Sequence, residues 1–167
     1  VSVVRPGIDP AAFAGRIDVT ERDRLRAMLG VGPDQLLVGT VSCLKPQKAP
    51  EDFIRVAALV CQRVPAAKCV LVGDGAMRPQ IEAMLEAEGL RERVTLLGWR
   101  RDVASLLKAF DVFVLPSRWE GLPCAILEAR ASRIPIVATR VGGAAEAIVE
   151  GIQGTLCPVG DVRAMAG

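Results

Sequence analysis

The sequence predicts an α/β domain built on a mostly parallel six-stranded sheet with helices on both faces, a doubly wound arrangement. Short β-branched runs alternate with segments of helical periodicity, which is typical of strands joined by helical crossovers. The strand candidates are almost continuously apolar, as in Val112-Phe-Val-Leu115, and this favours strands buried on both faces. The length of 167 residues suits one domain of ordinary size.

Six runs are predicted as strands because β-branched and apolar residues dominate them. They are Leu36–Ser42, Cys69–Val72, Val94–Leu97, Val112–Leu115, Ile136–Ala138 and Thr155–Cys157. Six segments between or before them have helical periodicity. These are Thr20–Leu29, Glu51–Val64, Ala76–Glu88, Asp102–Ala109, Pro123–Ser132 and Ala144–Val149.

Both ends of the sequence have the character of interior segments. Val3 to Asp9 reads as a strand running into a turn, with no strand before it to pair with. The chain stops at Asp161 to Gly167, where a further helix is predicted to begin. We therefore expect a single domain, residues 1–167, that is a fragment of a longer protein with its last helices truncated.

Charge and composition narrow the classes of partner. The chain holds 21 basic and 19 acidic side chains, so its net charge is too small to attract nucleic acid to the domain as a whole. Charged residues interrupt every apolar run well before the roughly 20 residues that a membrane-spanning helix needs, and the N-terminus lacks the layout of a secretion signal. The five cysteines are scattered and odd in number, which argues against a disulfide framework and a zinc site. We expect a cytoplasmic domain that makes no membrane contact of its own.

The chain contains no histidine, and this restricts its chemistry. Histidine is the commonest general base and the partner of most Ser and Cys nucleophiles. Any chemistry here must therefore use carboxylates, cations and backbone dipoles.

The segment after the fourth predicted strand holds the strongest site candidates, because ligands of open parallel sheets bind at the carboxyl ends of strands. Glu120 lies in the loop, Gly121 permits close backbone approach, and Pro123 opens a helix whose free N–H groups suit a phosphate. Glu128 follows near the second turn of that helix, where its carboxylate can accept hydrogen bonds from sugar hydroxyls. The alternative is a solvated Glu120 and a Glu128 engaged in a salt bridge.

Cations and glycines follow the other predicted strands. Lys45 and Lys48 come after the first strand and could neutralise a diphosphate, although a surface turn explains such a pair equally well. The turn Gly73-Asp-Gly75 is weak evidence for a ligand and does not complete a GxGxxG pattern. Gly142 and Gly143 could leave backbone N–H groups open to a ligand, or form a plain turn.

The segment after the third predicted strand, Gly98-Trp-Arg-Arg101, offers groups that pair with aromatic faces. Trp99, Arg100 and Arg101 could stack on or flank a base, because indole and guanidinium are both planar. The alternative is a packing role for Trp99 with solvated arginines.

Taken together, these residues resemble the C-terminal domain of the retaining GT-B glycosyltransferases called family 4 or group 1, over almost the whole chain. The most specific element is the pair Glu120-x7-Glu128 within Glu-Gly-Leu-Pro-x4-Glu-Ala. Three further motifs support it: Val141-Gly-Gly-x2-Glu146, Val72-Gly-Asp-Gly75 and the linker-like Pro6-Gly-Ile-Asp9. The resemblance implies a Rossmann-like domain, one half of a GT-B fold, with residues 1–15 similar to the interdomain linker.

The resemblance also implies roles for single residues. Glu128 would bind the ribose of a nucleoside-diphosphate sugar, and Glu120 would contact the transferred sugar. The amides of Gly121 and Leu122 would face the sugar and phosphates, Lys48 would bind the diphosphate, and Trp99 to Arg101 would border the base. Transfer in this family retains anomeric configuration without a required metal ion, and no Asp-x-Asp signature is present here.

One departure from the family pattern affects the leaving group. Cys43-Leu44 stands where the family usually has Arg-Leu, which removes a second diphosphate cation unless Lys45 replaces it. Ala49 likewise stands in place of a usual glycine.

Two alternatives to a transferase stay open, a non-catalytic nucleotide-sugar-binding module and a GT-B nucleotide-sugar epimerase. For the transferase, the acceptor-binding N-terminal half is expected on another part of the protein, and the isolated chain is expected to be inactive.

Overall fold

The computed structural model describes residues 7–15 and 18–167. Its strands are β1 (Leu37–Val41), β2 (Lys68–Val72), β3 (Val94–Gly98), β4 (Val112–Leu115), β5 (Ile136–Thr139) and β6 (Gly154–Cys157). They form one sheet in the order β3-β2-β1-β4-β5-β6, and every neighbouring pair is parallel. The predicted doubly wound α/β fold is confirmed, and within the described residues the sheet is parallel throughout rather than mostly.

Eight α-helices accompany these strands in the described residues. They are α1 (Pro10–Phe13), α2 (Val19–Met28), α3 (Pro50–Arg63), α4 (Arg78–Ala87), α5 (Val103–Ala109), α6 (Cys124–Ala131), α7 (Gly142–Ala147) and α8 (Val162–Met165). A short 3-10 helix, Pro46–Lys48, lies between β1 and α3. The helix predicted to begin at Asp161 is α8, whose first turn is capped by the Asp161 carboxylate accepting from the amide of Ala164 at 3.0 Å.

The structure corrects the predicted start of α4. The predicted strand at the N-terminus falls on residues 1–6, which include Pro6 and lie outside the described residues. Helix α4 begins at Arg78 instead of Ala76, because the preceding turn is tied to the loop after β1. The amide of Met77 donates to the Leu44 carbonyl at 3.0 Å, and Met77 is the N-cap of the helix.

The sheet separates two apolar cores, because alternate residues of a strand point to opposite faces. Helices α2, α5, α6 and α7 cover one face, where Phe113 and Leu106 are buried. Helices α3, α4 and α8 cover the other, where Val114 and Phe53 are buried. The predicted helices on both faces are therefore confirmed, and the central strands have no exposed face.

Ion pairs connect the amino end of β4 to α2. Arg22 and Arg26 both pair with Asp111, the residue just before β4. Gly39 in β1 lies under the ring of Phe110, so closely that an added Cβ would stand 2.1 Å from that ring. These contacts fix β1 beside β4, which positions the loops at the opposite end of the two strands.

Two further observations concern predictions made from composition. No helix of the described residues is both long and apolar enough to cross a bilayer. All five cysteines are free thiols, as their spacing predicts.

Candidate functional site

The candidate site lies at the carboxyl edge of the sheet, where the strand order reverses. Strands β1 and β4 are neighbours there, although β2 and β3 lie between them in the chain. Ligands of open α/β sheets bind beside such a switch point. The loop after β1 carries Lys48 and the loop after β4 carries Glu120, and their side chains meet at this point.

Lys48 and Glu120 form an ion pair that is shielded from water. The distance from Lys48 Nζ to Glu120 Oε1 is 2.5 Å, and the exposed fractions of the two side chains are 18% and 5%. Ser117 Oγ donates a hydrogen bond to the same carboxylate oxygen at 2.6 Å. The alternatives of a surface-turn lysine and a solvated loop glutamate are therefore wrong for this pair.

The loops carrying Lys48 and Glu120 are joined along their backbones. Gln47 accepts a hydrogen bond from the amide of Arg118 at 2.8 Å, and its Nε2 atom donates to the carbonyl of Trp119 at 3.0 Å. The guanidinium of Arg118 pairs with Glu51, at the start of α3, at 2.7 Å. These contacts fix the two loops relative to each other, so that the Lys48 side chain lies against Glu120.

Ala49 bends the chain between the 3-10 helix and α3. Its φ of 45° and ψ of 54° are left-handed, a conformation that costs a residue with a Cβ about 1 kcal/mol. Ala49 is fully buried in this position. A glycine would adopt the same turn without the steric cost, which gives a physical reason for the glycine usual in the family that the sequence resembles.

The two lysines of the predicted diphosphate site differ in position. Lys48 is at the centre of the site, whereas Lys45 is exposed and makes no ion pair with the described residues. The backbone amide of Lys45 donates to the carbonyl of Cys43 at 2.9 Å, in a turn directly after β1. Lys45 therefore has freedom to move toward an anion but is not held in place for one.

Helix α6 carries Glu128 and follows the loop of Gly121 and Leu122. Gly121 is exposed, Leu122 is half-buried, and Pro123 lies just ahead of the helix in an extended conformation. Glu128 is half-buried, and burial raises the pKa of its carboxyl above the ordinary value. Its side chain makes no ion pair or hydrogen bond within the described residues, so the predicted alternative of a salt bridge is wrong and the carboxylate is available to a ligand.

Gly142 and Gly143 pack directly on the loop that holds Glu120. An added Cβ on Gly142 would stand 2.0 Å from the Glu120 carbonyl oxygen, and one on Gly143 would stand 2.0 Å from that of Gly121. The amide of Gly143 donates to the Gly121 carbonyl at 2.6 Å. The prediction that both amides are open is therefore wrong for Gly143, and helix α7 begins at Gly142, two residues before the predicted start, because it docks on this loop.

A cavity of about 190 Å³ opens at the same edge of the sheet, between the loops after β1, β2 and β3. Its lining residues are Val41, Ser42, Cys43, Val72, Gly73, Asp74, Trp99, Arg100 and Val103. The Trp99 side chain is 81% exposed, so the alternative of an internal packing residue is wrong. Arg100 pairs with Asp102 at 2.6 Å, and Arg101 is exposed and does not line the cavity.

Sequence reasoning missed Ser117 and Thr139. Both are buried, and the Thr139 hydroxyl donates to the Ser117 carbonyl at 2.5 Å. Thr139 ends β5, so this bond connects the neighbouring strand to the loop of Glu120. The available signal was a small polar residue directly after an apolar strand, Val112-Phe-Val-Leu-Pro-Ser117.

The sequence predicts a site that works without a metal ion. Within residues 7–15 and 18–167, no three His, Cys, Asp or Glu side chains lie together as metal ligands. Independence from metal is a property of the reaction, and it stays a prediction.

A family model described as glycosyl transferases group 1 matches residues 33–167. Among curated proteins, the chain is 36% identical over 146 residues to the UDP-Gal:alpha-D-GlcNAc-diphosphoundecaprenol alpha-1,3-galactosyltransferase of Escherichia coli, covering 86% of this chain and 37% of that protein. It is 33% identical over 169 residues to the D-inositol 3-phosphate glycosyltransferase of Mycobacterium marinum, covering 97% and 34%.

Solved structures give the same assignment at the level of fold. The crystal structure of Anabaena HepE in complex with UDP-glucose superposes with a TM-score of 0.87 at 30% identity, covering 96% of this chain and 44% of that one. Its complex with UDP and glucose gives a TM-score of 0.88, covering 99% and 45%. The chain thus spans less than half the length of each of these relatives.

Proposed function

Because the chain belongs to the glycosyl transferases group 1 family, we propose that it forms the nucleotide-sugar-binding domain of a retaining glycosyltransferase. The full-length protein transfers a hexose from a nucleoside-diphosphate donor to an acceptor. The observation that carries this proposal is the contact of Lys48 with Glu120 at the switch point of the sheet. Glu128, which has no partner in the part of the chain that the structure describes, lies on the adjoining helix.

The proposed nucleotide is UDP. Relatives of this chain include a galactosyltransferase named for UDP-Gal and a structure in complex with UDP-glucose. The cavity beside Trp99 has a largely apolar lining next to polar backbone, which suits a planar base. The exposed indole of Trp99 offers it a stacking face.

The remaining groups of the donor have partners of matching chemistry. Glu128 accepts hydrogen bonds from the ribose hydroxyls, because its carboxylate has no partner among the described residues. Lys48 provides the positive charge for the diphosphate, and the amides of Gly121 and Leu122 approach the phosphates and sugar ahead of α6. Glu120 accepts from hydroxyls of the transferred sugar through its second carboxylate oxygen.

Transfer breaks the bond between the anomeric carbon and the diphosphate, and negative charge collects on the leaving oxygen. Lys48 and the helix N-terminus stabilise that charge without a metal ion. Cys43 lines the base cavity where the family usually has an arginine, and Lys45 is exposed, so Lys48 is the one cation held in place for the diphosphate among the described residues. We infer that the bond to the diphosphate breaks more slowly here than in a site with two fixed cations.

A second domain completes the proposed enzyme. The chain spans 37% of the galactosyltransferase and 44% of the HepE chain. The proposal assigns the acceptor pocket and the remaining catalytic groups to an N-terminal domain outside the 167 residues.

Calorimetric titration tests the donor site directly. The chain is titrated with UDP, GDP, ADP and their glucose conjugates, beside the variant Glu128→Ala and the matched control Glu88→Ala, which removes an exposed glutamate at the end of α4. We expect selective binding of UDP and UDP-glucose that Glu128→Ala weakens at least about tenfold, the loss of a charged hydrogen-bond acceptor, and that Glu88→Ala preserves. Absence of nucleotide binding by both this chain and the full-length protein would overturn the proposal.

A further inference from the structure

Lys48 and Glu120 each have a ligand partner in the proposed function, yet in the unliganded chain they are paired with each other. Lys48 Nζ lies 2.5 Å from Glu120 Oε1, and both side chains are shielded from water. The diphosphate can be neutralised only if Lys48 shifts some of its charge away from Glu120. Donor binding therefore competes with an internal contact.

Ser117 prevents Glu120 from relaxing out of that contact. Its side chain is fully buried, and its Oγ donates to Glu120 Oε1 at 2.6 Å. Its own carbonyl is held by the hydroxyl of Thr139 at 2.5 Å. Lys48 and Ser117 thus both donate to Glu120 Oε1, and no side chain of the described residues bonds Oε2.

The free-energy cost of separating Lys48 from Glu120 depends on whether the ligand carries a sugar. A free nucleoside diphosphate draws the Lys48 ammonium toward its phosphates and leaves the Glu120 carboxylate, 5% exposed, without its cation. A buried carboxylate that loses its partner is destabilising. A sugar-bearing donor adds hydroxyl groups that can donate to that carboxylate and offset the loss.

We propose that Ser117 is a positioning residue that holds Glu120 against Lys48, and that this pair makes the site discriminate against free nucleoside diphosphate in favour of the sugar-bearing donor. The inference rests on the proposed function and deepens it. After transfer, Lys48 returns to Glu120, and the nucleoside diphosphate product loses its cation and departs. The pair therefore reduces product inhibition at the expense of some donor affinity.

The test compares dissociation constants of UDP and UDP-glucose, measured by calorimetry on the native chain, Glu120→Gln and Glu86→Gln. Glu120→Gln removes the competing charge, so we expect UDP to bind about fivefold tighter, the size of one partly shielded ion pair, while UDP-glucose binds no tighter. Glu86→Gln is the matched control, because it removes a carboxylate that pairs with an arginine, Arg91, at the end of α4 and does not touch the loops of Lys48 and Glu120. It should change the two affinities by the same small factor.

Ser117→Ala separates positioning from folding. We expect the preference for UDP-glucose over UDP to fall about threefold, because Glu120 loses the hydrogen bond that orients it, whereas a general loss of structure would weaken both ligands equally. If Ser117→Ala does not fold, the Glu120→Gln comparison decides alone. Native binding of UDP that Glu120→Gln leaves unchanged or weakens overturns this inference and leaves the donor site intact, while absence of UDP binding by the native chain overturns the donor site itself.

Discussion

Arg26 Nη1 lies 2.9 Å from the Oδ2 atom of Asp111, and the arginine that makes this contact is only 2% exposed. The same guanidinium group donates to the carbonyl of Ala109 at 3.1 Å. Asp111 Oδ2 also accepts from the amide of Leu37, the first residue of β1, at 2.7 Å. One carboxylate thus ties α2 to the amino ends of both central strands.

Asp111→Ala should destabilise the chain by about 3 kcal/mol, because it leaves the Arg26 charge buried without its partner. The free energy of unfolding is measured in urea. Asp23→Ala, an exposed aspartate on the same helix as Arg26, serves as control and should change stability by less than about 0.5 kcal/mol. Equal effects of the two variants would contradict the structural role of Asp111.

Acid unfolding should depend on the same carboxylate. Burial works to raise the pKa of Asp111, but the Leu37 amide and Arg26 outweigh it and hold the pKa below the ordinary value. A depressed pKa means that the stabilisation is complete above the pKa of the unfolded chain and is lost as pH falls through the lower, folded value. The stability of Asp111→Ala should therefore fall less between neutral and acid pH than that of the native chain.

Donor binding should weaken as pH falls, and at a higher pH than for an ordinary glutamate. Burial raises the pKa of Glu128, so its carboxylate is protonated earlier on acidification and accepts fewer hydrogen bonds from the ribose. Calorimetric titration of UDP at a series of pH values tests this. In Glu128→Gln the pH dependence should disappear along with most of the affinity, and a Glu128→Gln variant that keeps the native pH profile would show that another group titrates.

Glu128 and Glu120 should also differ in which ligand they affect. Glu128→Ala should weaken UDP binding more than Glu120→Ala does, because the ribose is present in both UDP and its sugar conjugates. Glu120→Ala should reduce affinity only when the sugar is attached, and it should not weaken the binding of UDP itself. Equal losses of UDP affinity in the two variants would contradict this division of roles.

Gly143→Ala should destabilise the chain by about 2 kcal/mol, because its Cβ would stand 2.0 Å from the Gly121 carbonyl oxygen and force the two loops apart. Gly121→Ala is the control within the same contact, since an added Cβ there meets no atom within 4 Å. Thermal and urea unfolding give both values. A stable Gly143→Ala variant would show that α7 can shift away from the Glu120 loop.

Cys43→Arg should strengthen UDP binding, because it places a second cation on the rim of the cavity after β1. We expect a gain of about tenfold at low salt that shrinks as salt screens the charge. Val64→Arg adds the same charge at the opposite end of α3 and should leave the affinity unchanged. A gain in both variants would indicate a general charge effect instead of a local one.

Much of the fold follows from local pattern. Each of the six predicted strands overlaps an observed one, because a strand buried on both faces has to be apolar along its length. Helix α1 was missed because its four residues are too few to show a period, and it is fixed by Asp9, whose side chain accepts from the Ala11 amide at 3.0 Å. The neighbours of each strand could not be predicted, since nothing local to β1 selects β4.

The residues of the candidate site were likewise predicted only where their position after a strand was enough to identify them. Glu120 and Lys48 were predicted from their places after strands, and the structure brings the two together. Ser117 was not predicted, because its importance depends on Glu120 three residues onward and on Thr139 in another strand. The docking of Gly143 was missed for the same reason, as it depends on a contact 22 residues back along the chain.

The place of β4 beside β1 also determines when, during synthesis of the chain, the candidate site can form. Strands β1, β2 and β3 can pair while the chain is still being synthesised, but β4 joins the opposite side of β1 only after all three have emerged. Lys48 and Glu120 are 72 residues apart, so closing this contact is among the slower steps that loop entropy imposes. A nascent chain that ends before Glu120 lacks the ion pair on which the proposed donor site depends, however completely its first three strands have paired.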